Sequence, residues 1–180
     1  MGAIVHIWRN TPTDPGHASL QVGNEYVSYW PQGEDTEVKD FVKNPPAKGA
    51  VKDFNVGTTH KPYFPGSYRH DCKLERRECD IKVILNKLDE KEIIDSWQNF
   101  KDDPRRYNML SHNCSTVVAT LLELGSGKPP YHTPSIKINE YVKGSYKRWY
   151  FKLRFMGNYI KMWTPNDVHK YALQLKSYKK

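Results

Sequence analysis

Apolar and polar residues alternate along several short stretches of this chain, and elsewhere they recur at helical spacing. Residues 2–9, GAIVHIWR, are rich in β-branched and aromatic side chains and predict a strand. HASLQV (17–22) and EYVSYWP (25–31) flank Gly23-Asn24, which predicts a hairpin closed by a two-residue turn. In that register Leu20 opposes Val27 and Ala18 opposes Tyr29, so the apolar positions share one face. His17, Ser19 and Gln21 share the other face with Tyr26, Ser28 and Trp30, and His17 lies opposite Trp30. A slip of one residue would exchange the faces. ECDIKVIL (78–85) alternates so that Cys79, Ile81, Val83 and Leu85 point one way.

Asp89 and Glu92 have the spacing of a capping box and open a helix whose stripe is Ile93, Ile94, Trp97 and Phe100; DDPRR ends it. NCSTVVATLLELG (113–125) predicts a second helix, with Asn113 as N-cap, Val117, Val118, Leu121 and Leu122 as buried face, and Gly125 as C-cap. Thr164, Pro165 and Asp167 open a last helix. NTPTDPG and GSGKPPYHTP read as loops. Residues 31–69 read as irregular, with a short strand at 50–56. At 180 residues, without internal repeats, the expectation is one domain large enough to bury a core.

Charge changes this picture at one end only. The chain carries +8, and residues 137–180 hold 11 Lys/Arg against Glu140 and Asp167 alone, so the basic character belongs to the tail. From Tyr141 to Trp163 eight aromatics interleave with these bases. The mixture suits an anionic membrane surface reached through residues 141–180. It also suits single-stranded nucleic acid, and it equally describes rings packed beneath the domain with solvated charges around them. Three cysteines, Cys72, Cys79 and Cys114, argue against a disulfide framework and fit a reducing compartment. The N-terminus has no signal-peptide pattern, and His6 stands where a myristoylation motif wants Ser or Thr. No run of 18 apolar residues occurs. The expectation is a cytoplasmic protein, or one delivered into a target cell without such a signal, and peripheral at membranes if the tail docks there.

Candidate chemistry rests on two residues. Cys114 opens a helix, where the dipole and unpaired N–H groups favour the thiolate and offer donors to an oxyanion. His17 is the candidate base. Each has a plainer reading: Cys114 shares the stripe of Val118 and Leu121 as an inert buried thiol, and His17, Ser19, Gln21 and Ser28 are solvated hairpin positions. His112, two residues before Cys114, reads as an activating group or as a loop residue outside the cap. His70, Cys72 and Cys79 lack metal-ligand spacing, and no phosphate-binding glycine motif is present.

The order GHASL…YVSYWP followed by YNMLSHNCSTVV resembles the circularly permuted papain-like thiol enzymes, in which the histidine strand precedes the cysteine helix. Relatives of that superfamily include the NlpC/P60, lecithin-retinol acyltransferase and PPPDE groups. The chain looks closest to the Rho-inactivation domain of bacterial toxins and to type III effectors of the IcsB/BopA kind. The resemblance covers residues 1 to about 125. It implies an α+β fold, a small antiparallel sheet or half-barrel packed against the cysteine helix. Residues 1–128 are then the catalytic domain, and 129–180 a basic aromatic extension ending in a helix and packed on it. It also implies a third, acidic member between histidine and cysteine: Asp71 is the choice, with Asp80 and Asp53 as alternatives. Trp30, Ser28, Asn113 and Ser115 become candidate substrate-binding residues. The activity implied is transfer of a long-chain acyl group to lysines of a protein substrate, with no bound cofactor and acyl-CoA as donor. A cysteine peptidase or amidase would use the same residues, and a non-catalytic membrane- or nucleic-acid-binding module is a further alternative.

Overall fold

A computed structural model describes residues 2–11, 15–32, 60–137 and 159–178. Within them the elements in chain order are β1 (Ala3–Trp8), β2 (His17–Val22), β3 (Glu25–Val27), β4 (Trp30–Pro31), β5 (Pro62–Tyr63), α1 (Tyr68–Glu75), β6 (Ile81–Leu85), α2 (Glu90–Asp102), α3 (Cys114–Ser126), β7 (Ile136–Lys137), β8 (Tyr159–Ile160) and α4 (Pro165–Ser177). The protein is mixed α+β.

The main sheet is antiparallel with strand order β3-β2-β1-β6. Its hairpin keeps the expected register from Val22 opposite Glu25 to Leu20 opposite Val27, closed by Gly23 at φ 57 in the first turn position. The pairing stops there: Ala18 and Tyr29 are not strand partners, nor are His17 and Trp30, and Trp30 pairs with Tyr63 instead. One face is apolar: Ala3, Val5, Ile7, Leu20, Val22, Val83 and Leu85 are buried in one core with Ile93, Trp97, Val118, Leu122, Val168 and Tyr171 of α2, α3 and α4. The final helix therefore belongs to this core, and its Thr164–Asp167 capping box forms with Pro165 in the first turn. The other face carries His6, Trp8, His17, Ser19 and Ser28. All of these are buried as well, because α1 lies over this side: the Tyr68 ring stacks on His6 at 4.5 Å. The solvated reading of Ser19 and Ser28 is thus overturned. This face is open along β6, where Lys82 and Ile84 are exposed.

Several local expectations are corrected. α3 is capped by Gly127 at φ 62, not by Gly125. Gly125 is small for a different reason: a Cβ there would lie 2.4 Å from Ile93 Cδ1, so the glycine lets α2 and α3 approach. The Asp89–Glu92 box is half formed. The Asp89 carboxylate accepts from Glu92 N, but its own N–H donates to Gly125 O at 2.7 Å and ties the start of α2 to α3. Cys79 precedes β6 and is not in the row of Val83 and Leu85; its sulfur lies 3.4 Å from Tyr68 Oη. α1 falls in a segment where no helix was expected. The strand expected at 50–56 lies outside the described residues, as do Asp53 and the tail aromatics from Tyr141 to Phe155. Of the remaining tail rings, Tyr159 is exposed and Trp163 packs against the core. Among the described residues no helix is long and apolar enough to cross a membrane.

Candidate active site

The site is built around a carboxylate. Ser67 caps α1 by accepting from His70 N, and Arg76 ends it in the left-handed conformation, φ 59. Asp71 lies in the first turn and points onto the polar face of the sheet, fully buried. Tyr26, Ser28 and Trp30 alternate along the chain facing it, so their polar groups converge at the strand period. Tyr26 Oη donates to Asp71 Oδ2 at 2.6 Å. Ser28 Oγ donates to Oδ1 at 2.8 Å, and Trp30 Nε1 donates to the same oxygen at 2.9 Å. A buried carboxylate with this many donors is held ionised. Burial alone would raise its pKa; the His17 charge and these hydrogen bonds outweigh burial and keep it below the usual carboxylate range.

His17 is the basic partner. Its Nε2 lies 3.2 Å from Asp71 Oδ2 and 3.1 Å from Ser28 Oγ. Its ring stacks on Trp30 at 4.4 Å and meets Trp8 at 5.4 Å, so indoles restrain the imidazole. Cys114 lies close enough to His17 for each to favour the other's charged form. Burial would lower the pKa of this imidazole, but Asp71 and then the Cys114 sulfur raise it well above the ordinary value.

Cys114 is the first residue of α3 and is 6% exposed. Asn113 fixes the start of that helix. Its Oδ1 accepts from Thr116 N at 2.8 Å, and its Nδ2 donates to Met109 O at 2.8 Å and Trp163 O at 2.9 Å. The last of these bonds tethers the cysteine loop to the segment leading into α4. Burial pushes the Cys114 thiol up; the His17 charge and hydrogen bond, with a hydrogen bond from Ala18 N and one from Ser115, pull it below its usual value. The directions agree: the shifts at Cys114, His17 and Asp71 each favour the charged form.

No family model, no curated protein and no solved structure matches this chain. What the site can do is therefore argued from its own geometry.

The structure brings Cys114, His17 and Asp71 together and leaves Asp80 outside, at the surface, where it accepts from Arg9 N and Arg77 Nη1, each at 2.6 Å. Of the residues expected to bind substrate, Ser28 and Asn113 spend their polar atoms inside the protein, on Asp71 and on the helix start. Ser115 is buried, with Oγ 3.9 Å from the Cys114 sulfur. Trp30 is half-buried against His17. Ser28, Trp30 and Asn113 thus read as positioning groups. His112 does not serve the thiol: its Nε2 is 2.8 Å from Arg105 Nη1, and burial and that charge lower its pKa. Sequence reasoning missed Tyr26, although it stands two residues from Ser28 on the same strand face. It also missed Ser19, whose Oγ is 2.8 Å from Tyr26 Oη and extends the network. Among the described residues no group of His, Cys, Asp or Glu is arranged to hold a metal ion.

Proposed function

We propose that this protein is a cysteine-dependent acyl-transfer enzyme of permuted papain-like design. The observation that carries the reading is the buried cluster of Cys114, His17 and Asp71, with His17 Nε2 3.2 Å from Asp71 and His17 lowering the pKa of the Cys114 thiol beside it. A thiolate beside an imidazolium is a nucleophile with its acid already in place. The Cys114 sulfur attacks the carbonyl carbon of a thioester or amide. His17 gives its proton to the leaving sulfur or nitrogen, and an acyl-Cys114 thioester remains. The neutral imidazole then takes a proton from the acceptor as it attacks, and the thiolate–imidazolium pair is restored. Asp71 holds the ring and its charge throughout.

The substrate we propose is a long-chain acyl thioester such as acyl-CoA, with lysine amines of a protein as acceptor. The charge of residues 137–180 supports a site of action at anionic membranes, where donor and acceptor are both concentrated. Hydrolysis of a peptide or isopeptide bond is the second reading, favoured by the same three side chains, since water can replace the amine. Incubation with palmitoyl-CoA followed by intact mass measurement tests the first. The expected result is a hydroxylamine-sensitive acyl adduct on Cys114 that His17→Ala reduces and Cys114→Ala abolishes. Cleavage of peptide substrates with no adduct moves the protein to the second reading. Biological activity that survives Cys114→Ala in full contradicts both.

A further inference from the structure

The main chain beside the nucleophile is interrupted in a way the side-chain site does not explain. Ile7 O accepts from Asp80 N at 2.8 Å, so the backbone groups of Ile7 point toward β6. In an antiparallel pair these groups alternate between neighbours. Ile7 and its partner Ala18 are therefore a pair without mutual hydrogen bonds, and the N–H of Ala18 points away from β1, toward the β3 side. There the ladder ends: Leu20 pairs with Val27, but Ser28 and Tyr29 are not strand, and Ala18 has no opposite residue. Ala18 is fully buried, where an unsatisfied N–H is costly. What fills the gap is the start of α3, and the Ala18 N–H meets the Cys114 sulfur. The same gap explains how a thiol from the helix side of the sheet reaches an imidazole that belongs to the other face.

We propose that the Ala18 N–H, freed where β3 stops, is a dedicated main-chain donor to the Cys114 sulfur that holds it in place as the thiolate. This rests on the reading of Cys114 as nucleophile. The hydrogen bond is made to the reacting atom itself, and a donor fixed in a strand does not reorganise when charge develops there. It is independent of the side chain at position 18, which needs only to be small and apolar on the core face. Bonds to a charged acceptor are about twice as strong as neutral ones, so this N–H does more for the thiolate than for the thiol.

The test is an amide-to-ester exchange, Ala18→lactic acid, which removes the N–H and keeps the side chain. The exchange Leu20→leucic acid serves as control, because it removes an N–H that faces the intact β3 ladder. The readout is the rate of Cys114 alkylation by iodoacetamide against pH. The proposal expects the Ala18 exchange to raise the midpoint by about one pH unit, a roughly tenfold slower reaction on the acid limb. The control keeps the midpoint of the unmodified protein. Equal midpoints for the two exchanges overturn the proposal. A second measurement needs no exchange: the Ala18 amide proton, followed by nuclear magnetic resonance, is expected to shift with the ionisation of Cys114 and to stop doing so in Cys114→Ala. An amide proton that ignores that ionisation overturns the proposal while leaving the nucleophile reading intact. An ordinary thiol midpoint near about 8.5 in the unmodified protein removes the nucleophile reading and this inference together.

Discussion

Both faces of the central sheet bury most of their side chains, but they are held by different physics. The face under α2, α3 and α4 is aliphatic and aromatic, with Val5, Ile7, Leu20, Val22, Ile93 and Leu122 filling one core. The face under α1 buries His6, His17, Ser19, Ser28 and Asp71. Apolar burial is non-directional, so the first face tolerates exchange of side chains of similar volume. Polar burial is directional: each donor must find its acceptor or cost free energy. The first face stabilises the sheet; the second specifies positions within it. The charge on Asp71 has, among the described residues, one basic side chain within hydrogen-bond reach, His17. That is why the carboxylate serves the imidazole and not merely the fold.

The largest effect expected is that of Asp71→Ala, which leaves Tyr26, Ser28, Trp30 and a charged His17 without their acceptor. A loss of about 3–5 kcal/mol in denaturant unfolding is predicted, together with loss of thiol activation. Leu20→Ala on the other face removes only packing. It should cost about 2–5 kcal/mol and leave the pH profile of Cys114 alkylation unmoved. If Leu20→Ala moves that profile, the division of labour between the faces fails. Tyr26→Phe removes one donor and should cost about 1–2 kcal/mol, with the alkylation midpoint shifted as Asp71, the partner of His17, loses one of the bonds that fix it. Arg76→Gly relieves a left-handed arginine at the end of α1. It should stabilise the protein by about 1 kcal/mol without touching reactivity.

Stability should also depend on pH through the polar face. The folded pKa of Asp71 is depressed, so its contribution is present above the unfolded value of about 3.9 and is lost as pH falls through the folded value. The melting temperature of the wild type is expected to drop on that acid limb, and Asp71→Asn should flatten the drop.

The apolar face was the legible one. The alternation of Leu20 and Val27 about Gly23-Asn24, and the stripe of Val117, Val118, Leu121 and Leu122, report burial directly. The polar face was not, because a buried serine and a solvated one look alike in sequence: Ser19 and Ser28 alternate as surface residues do. The helix α1 was hidden for the same reason. Its stretch YRHDCKLE offers little apolar surface, and Asp71, accepting from several donors, holds it to the sheet in place of an aliphatic stripe. Gly125 and Gly127 are both reasonable helix stops, and only the approach of Ile93 shows which one answers to packing. His17 and Cys114 could be singled out by chemistry. Tyr26, which holds Asp71, could not, since a tyrosine on a strand has many uses.

The central claim is that Cys114 is a thiolate because His17 is an imidazolium held by Asp71. The most direct test is the thiolate ultraviolet absorbance of wild type minus Cys114→Ala, titrated against pH. A midpoint well below the thiol value of about 8.5 that moves up in His17→Ala is the predicted result. A midpoint at or above that value, unchanged by His17→Ala, would show an ordinary buried thiol and contradict the account.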